Sequence, residues 1–316
     1  MRRGLVLGAG GVLGASWTIG ALNAVQDVTG WDPTTAEVIV GTSAGSVLAA
    51  FVSNGVTPEQ LLNHQRGITV PGDPVIDYDA DRERSLPPRP KLGLGSARLL
   101  RAVARHPRKV TPLTALASIT PQGRGSLDPV RGLVEAVCPR GSWSPHPNTW
   151  IVAMDYDSGK RVAFGREGAP PAGLSDAVTA SCAIPGWYAP VTIGGRRYVD
   201  GGACSPTSLD LVIPLDLDEV YVLSPMTSFD YDKPASRVAR LERQFRRSVT
   251  KRLIREAVKV RQHGTAVVML GPGAEDLEAI GANLMDARRR TAVLDTSLRT
   301  SAEVLHRHYG EYAKPA

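Results

Sequence analysis

Short unbroken apolar runs alternate along the chain with longer stretches in which apolar residues return every three or four positions. The first run, Arg3 to Leu7, predicts a buried strand; the Gly8 to Gly14 turn then leads into a helix carrying Trp17, Ala21, Leu22 and Val25 near one face. A second strand, Val38 to Val40, breaks at Gly41-Thr42-Ser43-Ala44-Gly45 and continues as a helix of small residues from about Ser43 to Ser53, stopped by Gly55. Thr57 as N-cap with Pro58 at the first helical position opens another helix. Asp128-Pro129 caps a helix to about Val137, and Trp150 to Met154 and Arg161 to Phe164 read as a hairpin. A small-residue helix from Leu174 ends before Pro185. Val191 to Ile193, the Gly194-Gly195 turn and Arg197 to Val199 form a second hairpin that delivers Asp200 at a strand end. Leu217 to Leu223 and Ala266 to Leu270 are further strands. Between them Val238, Leu241, Phe245, Val249, Leu253 and Ala257 mark the apolar face of a long helix. Residues 283–309 read as closing helices.

One region departs from this rhythm. Residues 66–125 are Pro-rich, basic and poorly periodic, as in Pro87-Pro88-Arg89-Pro90-Lys91, which reads as an insertion into the core and a candidate lid. Its one amphipathic piece, Ala97 to Arg105, sets Leu99, Leu100 and Val103 among Arg98, Arg101 and Arg105. The long helix before His263 carries Arg240, Arg243, Arg246, Arg247, Lys251, Arg252, Arg255 and Lys259 against Glu242 and Glu256. Both segments suit peripheral contact with an anionic lipid surface, and equally a solvated face.

The chemistry sits in three glycine-bearing stretches. Gly41-Thr42-Ser43-Ala44-Gly45 between a strand and a helix has the G-x-S-x-G form of a nucleophile elbow, in which a sharp turn holds the serine hydroxyl clear at a helix N-terminus. Gly8-Ala9-Gly10-Gly11 follows the first strand, where side-chain-free residues let N–H groups point at a ligand. Asp200-Gly201-Gly202 follows the second hairpin, either as a simple turn or as a carboxylate free to approach the serine.

Taken in this order, a Gly-rich loop, an elbow serine and an Asp-Gly-Gly resemble the patatin-like phospholipase family, which uses a Ser-Asp dyad. The block Ala180-Ser181-Cys182-Ala183-Ile184-Pro185 is similar to one the family carries just before its aspartate segment. The resemblance is strongest over residues 4–55 and 174–225. It departs from the family at the loop, where Ala9 stands for the first glycine and Leu13 for the arginine of G-G-G-x-R-G. The resemblance implies a three-layer α/β/α fold with a mostly parallel central sheet. On that reading residues 1–316 form one domain, with its core at 1–65 and 126–280, the insertion at 66–125 and C-terminal helices at 281–316. It further implies hydrolysis of phospholipid or other lipid acyl esters, Ser43 as nucleophile, Asp200 as general base, Gly10 and Gly11 as oxyanion-hole donors, and neither cofactor nor metal.

Two other readings compete. An α/β-hydrolase esterase with a Ser-His-Asp triad would need one of the downstream histidines, His263, His306 or His308. A non-catalytic Rossmann-like nucleotide binder would use Gly8, Gly10 and Gly14, with Asp32 or Glu37 for the ribose, but Leu13 occupies the place of the third fingerprint glycine. A net charge of +6 permits nucleic acid as a partner, yet aromatics are sparse and no zinc-finger or RNP-like pattern occurs, so none is expected. Three separated cysteines outline neither a disulfide framework nor a zinc site, which fits a reducing, cytoplasmic setting. Met1-Arg2-Arg3 imitates a secretory start, but glycines interrupt the apolar segment that would follow, so no cleavage is expected.

Overall fold

Five of the apolar runs form the parallel centre of one sheet because their residues are buried on both sides of it. Numbered in chain order with the three other strands, these are β1 (Arg3–Leu7), β2 (Val38–Thr42), β3 (Thr149–Asp155), β7 (Glu219–Leu223) and β8 (Ala266–Leu270). Successive side chains face opposite ways. Leu5, Leu7, Ile39, Ile151, Tyr221 and Leu223 enter one core, and Val6, Val38, Val40, Val220 and Val222 enter another. A strand covered on both faces therefore shows no apolar-polar alternation. The computed structural model describes residues 1–68, 70, 71, 90, 93, 95–107, 110–229 and 237–312, leaving most of the run Pro87 to Lys91 outside them.

The first core is closed by α1 (Gly11–Thr29), α2 (Ala44–Ser53), α3 (Pro58–Gln65), α7 (Leu174–Ser181), α9 (Ala274–Ile280) and α10 (Arg290–Tyr312). The second is closed by α8 (Arg237–Gln262), through Leu253, Ala257 and Val260, with the turn at Leu209–Leu215. These are the three layers of an α/β/α fold. The hydrogen-bonded path through the sheet runs β5 (Val191–Ile193), β6 (Arg196–Asp200), β3, β2, β1, β7, β8, while β4 (Arg161–Phe164) pairs with β3. Among the described residues no helix is long and apolar enough to cross a membrane.

The register along β3 positions the chemistry. Ile151 and Val152 pair with both β2 and β4, whereas Ala153 and Met154 pair with both β4 and β6. β2 and β6 must then follow one another along the same edge of β3, the first parallel and the second antiparallel. Thr42 lies opposite Val152 and Asp200 opposite Ala153. The residue after Thr42 and the last residue of β6 thus meet where two strand ends converge.

Three expectations from the sequence are refined or corrected. α1 is buried around nearly its whole circumference from Leu13 to Val25, because α10 covers the face turned away from the sheet. A Cβ on Gly20 would come within 2.8 Å of the Leu294 carbonyl oxygen, so the two helices approach as closely as a glycine allows. Asp128 is the first helical residue of α6 (Asp128–Glu135), its carboxylate taken by the Ser126 hydroxyl at 2.6 Å, and Leu127 stands at the N-cap position. The third correction concerns α8. Leu241, expected on its buried face, is 68 % exposed, while Arg246, expected on its polar face, is 1 % exposed. Tertiary acceptors explain the inversion: Arg246 Nη1 donates to the Pro225 carbonyl at 2.6 Å and its Nε pairs with Glu242. The Val238 side chain lies outside the described residues.

The described part of residues 66–125 holds two helices, α4 (Ala97–Arg105) and α5 (Pro112–Ile119), the second unexpected from sequence. Leu99 and Ala117 pack with Met154, Tyr156 and Val199 in a third, smaller core at the end of β3. The Ser96 hydroxyl caps α4 through the Leu99 N–H at 3.2 Å.

Candidate active site

Ser43 occupies the elbow between β2 and α2 with φ 53° and ψ −125°, a conformation costly for a residue with a Cβ. The two flanking glycines make it possible by removing side chains. A Cβ on Gly41 would lie 2.6 Å from Ala49 Cβ, and one on Gly45 only 2.2 Å from the Leu7 carbonyl oxygen. The turn is pinned from below: the Ser43 N–H donates to Ser181 Oγ at 2.8 Å, and the Ser181 hydroxyl donates to the Val152 carbonyl at 2.6 Å. The Ser46 hydroxyl donates to the Ser43 carbonyl at 2.6 Å, closing the first turn of α2.

Asp200 ends β6 and is 6 % exposed. Its Oδ1 accepts the Gly202 N–H at 2.7 Å, and its backbone N–H donates to the Ala183 carbonyl at 3.0 Å. Gly201 is forced by packing, since a Cβ there would meet the Val152 carbonyl oxygen at 2.3 Å. Burial pushes the Asp200 carboxyl up to about 6. Hydrogen bonds from the Ser43 side chain and the Gly202 N–H pull the other way by favouring the ionised form. The carboxylate is therefore desolvated, held by the Gly202 N–H, and borders the same cavity as the elbow serine.

The third stretch completes the enclosure. The Gly8 and Ala9 N–H groups are spent on the Leu223 and Pro206 carbonyls at 2.9 Å each, fixing the end of β1 to the neighbouring segments. Gly11 takes φ 63°, and Gly10 stands at the N-cap position of α1. Among the described residues neither the Gly10 nor the Gly11 N–H pairs with a backbone acceptor outside the helix, and the first turn of a helix supplies none. Ala9, Gly10, Gly11, Ser43, Asp200 and Gly202 all line one cavity of about 480 Å³. The four residues singled out from sequence are thus brought together from segments nearly 200 positions apart.

The histidines are elsewhere. None lines either cavity that Ser43 borders. His263 is bonded to the Lys259 carbonyl at 2.8 Å, His306 is exposed, and the His308 ring meets Tyr309 edge-on. Asp32 and Glu37 are also engaged elsewhere, Asp32 accepting the Thr34 N–H at 2.9 Å and Glu37 pairing with Arg2 at 3.3 Å. Among the described residues no group of three or more His, Cys, Asp and Glu side chains converges as metal ligands would.

The profile of the family described as "Patatin-like phospholipase" matches residues 5–213, which span all three stretches. The chain belongs to this family. Membership makes lipid acyl-ester hydrolysis its activity class and a lipid its substrate class. Among solved structures it is similar to VipD from Legionella pneumophila, at 13 % identity and a TM-score of 0.42, covering 94 % of this chain and 67 % of that one. No curated protein sequence matches it.

Within the patatin-like frame, several supporting residues escape a reading of motifs. The Thr111 and Thr114 hydroxyls at the start of α5 both donate to the Ala203 carbonyl, at 2.5 and 3.0 Å, tying α5 to the turn after Asp200. Pro225 packs on the glycine loop so closely that a Cβ on Gly10 would lie 2.6 Å from its ring. Arg246 holds that same Pro225 through its carbonyl. Only the T-P of Thr111-Pro112, a helix-start signal, could have announced one of these partners.

Proposed function

We propose that this patatin-like protein hydrolyses lipid acyl esters through a covalent intermediate on Ser43, with Asp200 as its sole general base and acid. The observation that carries the reading is the convergence of Ser43 and a buried Asp200 carboxyl on one cavity that Gly10 and Gly11 also line. The ionised Asp200 takes the Ser43 proton as Oγ bonds to the ester carbonyl carbon. The Gly10 and Gly11 N–H groups stabilise the tetrahedral oxyanion, each worth about two to three powers of ten in rate. As the carbon–oxygen bond to the alcohol breaks, the proton passes from Asp200 to the leaving oxygen. Water then enters, loses a proton to Asp200 and attacks the acyl carbon, releasing the acid and restoring the Ser43 hydroxyl.

An ordinary aspartate, with a pKa of about 3.9, is a weak base for a hydroxyl. Raising Asp200 to about 6 brings it two units closer to the task while leaving it ionised at neutral pH. A histidine triad loses its ground because no imidazole borders the cavity.

Peripheral contact with anionic lipid is a further part of the proposal. Leu116 on α5 lines the cavity of Ser43 and Asp200 and is 55 % exposed, Ile119 is exposed one turn on, and the exposed Leu241 lies one turn before Phe245, which lines the same cavity. Arg237 and Arg240 are exposed beside Leu241. Exposed apolar side chains, with cations beside them on α8, suit insertion into an anionic interface. α4 contributes less, because Leu99 is spent on the protein core. The hydrolase reading is tested by mass detection of fatty acid released from a panel of phospholipids and neutral esters. Release by the wild-type protein and none by Ser43→Ala is the expected result; release by both sinks the assignment.

A further inference from the structure

Ser43 stands where two cavities of different character meet. Gly11, Ser43, Ile184 and Met285 border both. The wider cavity, of about 480 Å³, also contains Asp200, Gly10 and Gly202. The narrower one, of about 130 Å³, runs between α1, α2 and α6, walled by Val12, Ala15, Val47, Leu48, Val130 and Leu133. Asp200 borders only the wider arm.

That asymmetry fixes how an ester lies. The leaving oxygen must receive its proton from Asp200, so the alcohol portion occupies the arm that holds the carboxyl. The other substituent of the carbonyl carbon then points into the apolar arm. We propose that this arm is an acyl site for a medium-length chain of about six to eight carbons, and that it sets chain-length preference. The orientation rests on the Ser-Asp reading above; the arm as a chain-binding site does not.

The length follows from size and lining. An apolar protein cavity of about 150 Å³ holds one benzene, about six carbons, so 130 Å³ accommodates a chain of similar carbon count beyond the carbonyl. Each methylene removed from water contributes about 0.8 kcal/mol, so affinity climbs with chain length until the arm is full. Gln65 and Arg290 also border the arm. A longer chain must also lie against these polar and charged groups, where apolar contact gains nothing. The thiol of Cys182, which lines the arm beside Ser43, is raised by burial and by the nearby Asp200, so it stays neutral and adds no charge to the apolar wall.

The test uses the full chain in two formats. In the first, hydrolysis of p-nitrophenyl esters from acetyl to hexadecanoyl is measured on the wild type, on Val47→Phe, which fills the arm, and on Leu133→Ala, which enlarges it. Thermal melts confirm folding. The expected wild-type profile peaks at six to eight carbons. Val47→Phe lowers the octanoyl-to-acetyl ratio at least tenfold, and Leu133→Ala moves the peak to longer chains. In the second format, octanoate is titrated calorimetrically into Ser43→Ala and into Ser43→Ala/Val47→Phe. Saturable binding to the first and its loss in the second is expected. A rate that climbs steadily to hexadecanoyl, or octanoate binding that is absent or indifferent to Val47→Phe, overturns the acyl site. If octanoate binds the arm as expected while the wild type hydrolyses no ester, the dyad reading fails and the chain-binding site stands.

Discussion

Ser43 and Asp200 rest on strand ends where glycine alone fits: a Cβ at Gly41, Gly45 or Gly201 would approach its neighbours to 2.6 Å or less. The walls around them are fixed by different means. α5 reaches the floor through the Thr111 and Thr114 hydroxyls, and α8 reaches it through the Arg246 guanidinium and the Pro225 carbonyl. The floor has its geometry imposed by backbone contact, which tolerates no added atom. The walls are attached by side-chain hydrogen bonds, which can be removed one at a time. Substitutions in the floor should therefore abolish function, and substitutions in the walls should grade it.

The largest effects belong to the reacting groups. Ser43→Ala and Asp200→Asn should each lower kcat by at least about a thousandfold, measured on the best ester of the lipid panel. Asp200→Asn should also stabilise the protein at neutral pH. The folded pKa of about 6 lies above the unfolded value, so the folded state binds the extra proton between the two. Stability is thus lost as pH rises from about 4 through 6, by an upper bound of about 3 kcal/mol. The neutral amide removes that penalty, and its melting temperature should exceed the wild type's at pH 8 and not at pH 4. Next comes Gly45→Ala, whose methyl would press on the Leu7 carbonyl at 2.2 Å. It should lower the melting temperature by several degrees and take most activity with it.

The walls should respond more mildly. Arg246→Met should leave a folded protein with kcat reduced about ten- to a hundredfold and KM little altered, since Pro225 would no longer hold the Gly10 loop against its oxyanion position. A KM effect without a kcat effect contradicts that role. Thr114→Val should be smallest, under about tenfold in kcat, because Thr111 keeps its own bond to the Ala203 carbonyl.

The same contrast explains what the sequence could disclose. The elbow, the loop and the Asp-Gly-Gly turn were legible because each needs glycine at a fixed offset from a chemically active residue, and the strands because double burial removes polar residues from them. α8 was misread at its N-terminal half. Periodicity assigns Leu241 inward and Arg246 outward, but Arg246 finds buried carbonyl acceptors on a segment some 20 residues earlier, and no local pattern encodes that. α5 was missed because its two polar side chains, at Thr114 and Ser118, make contacts a helical apolar stripe does not count; Ser118, for one, donates to the Ala115 carbonyl at 2.6 Å. Nor could sequence reveal that β2 and β6 share an edge of β3, since that register joins Thr42 and Asp200 through a third strand.

The central claim is that the Asp200 carboxylate activates the Ser43 hydroxyl, and the most direct measurement is the rate of Ser43 labelling by a fluorophosphonate as a function of pH, with the adduct mapped by mass spectrometry. The account predicts a single adduct on Ser43 whose rate of formation rises through about pH 6 and then levels, and a slow rate with no such inflection in Asp200→Asn. Labelling of Asp200→Asn at the wild-type rate, or an adduct on another residue, would contradict it.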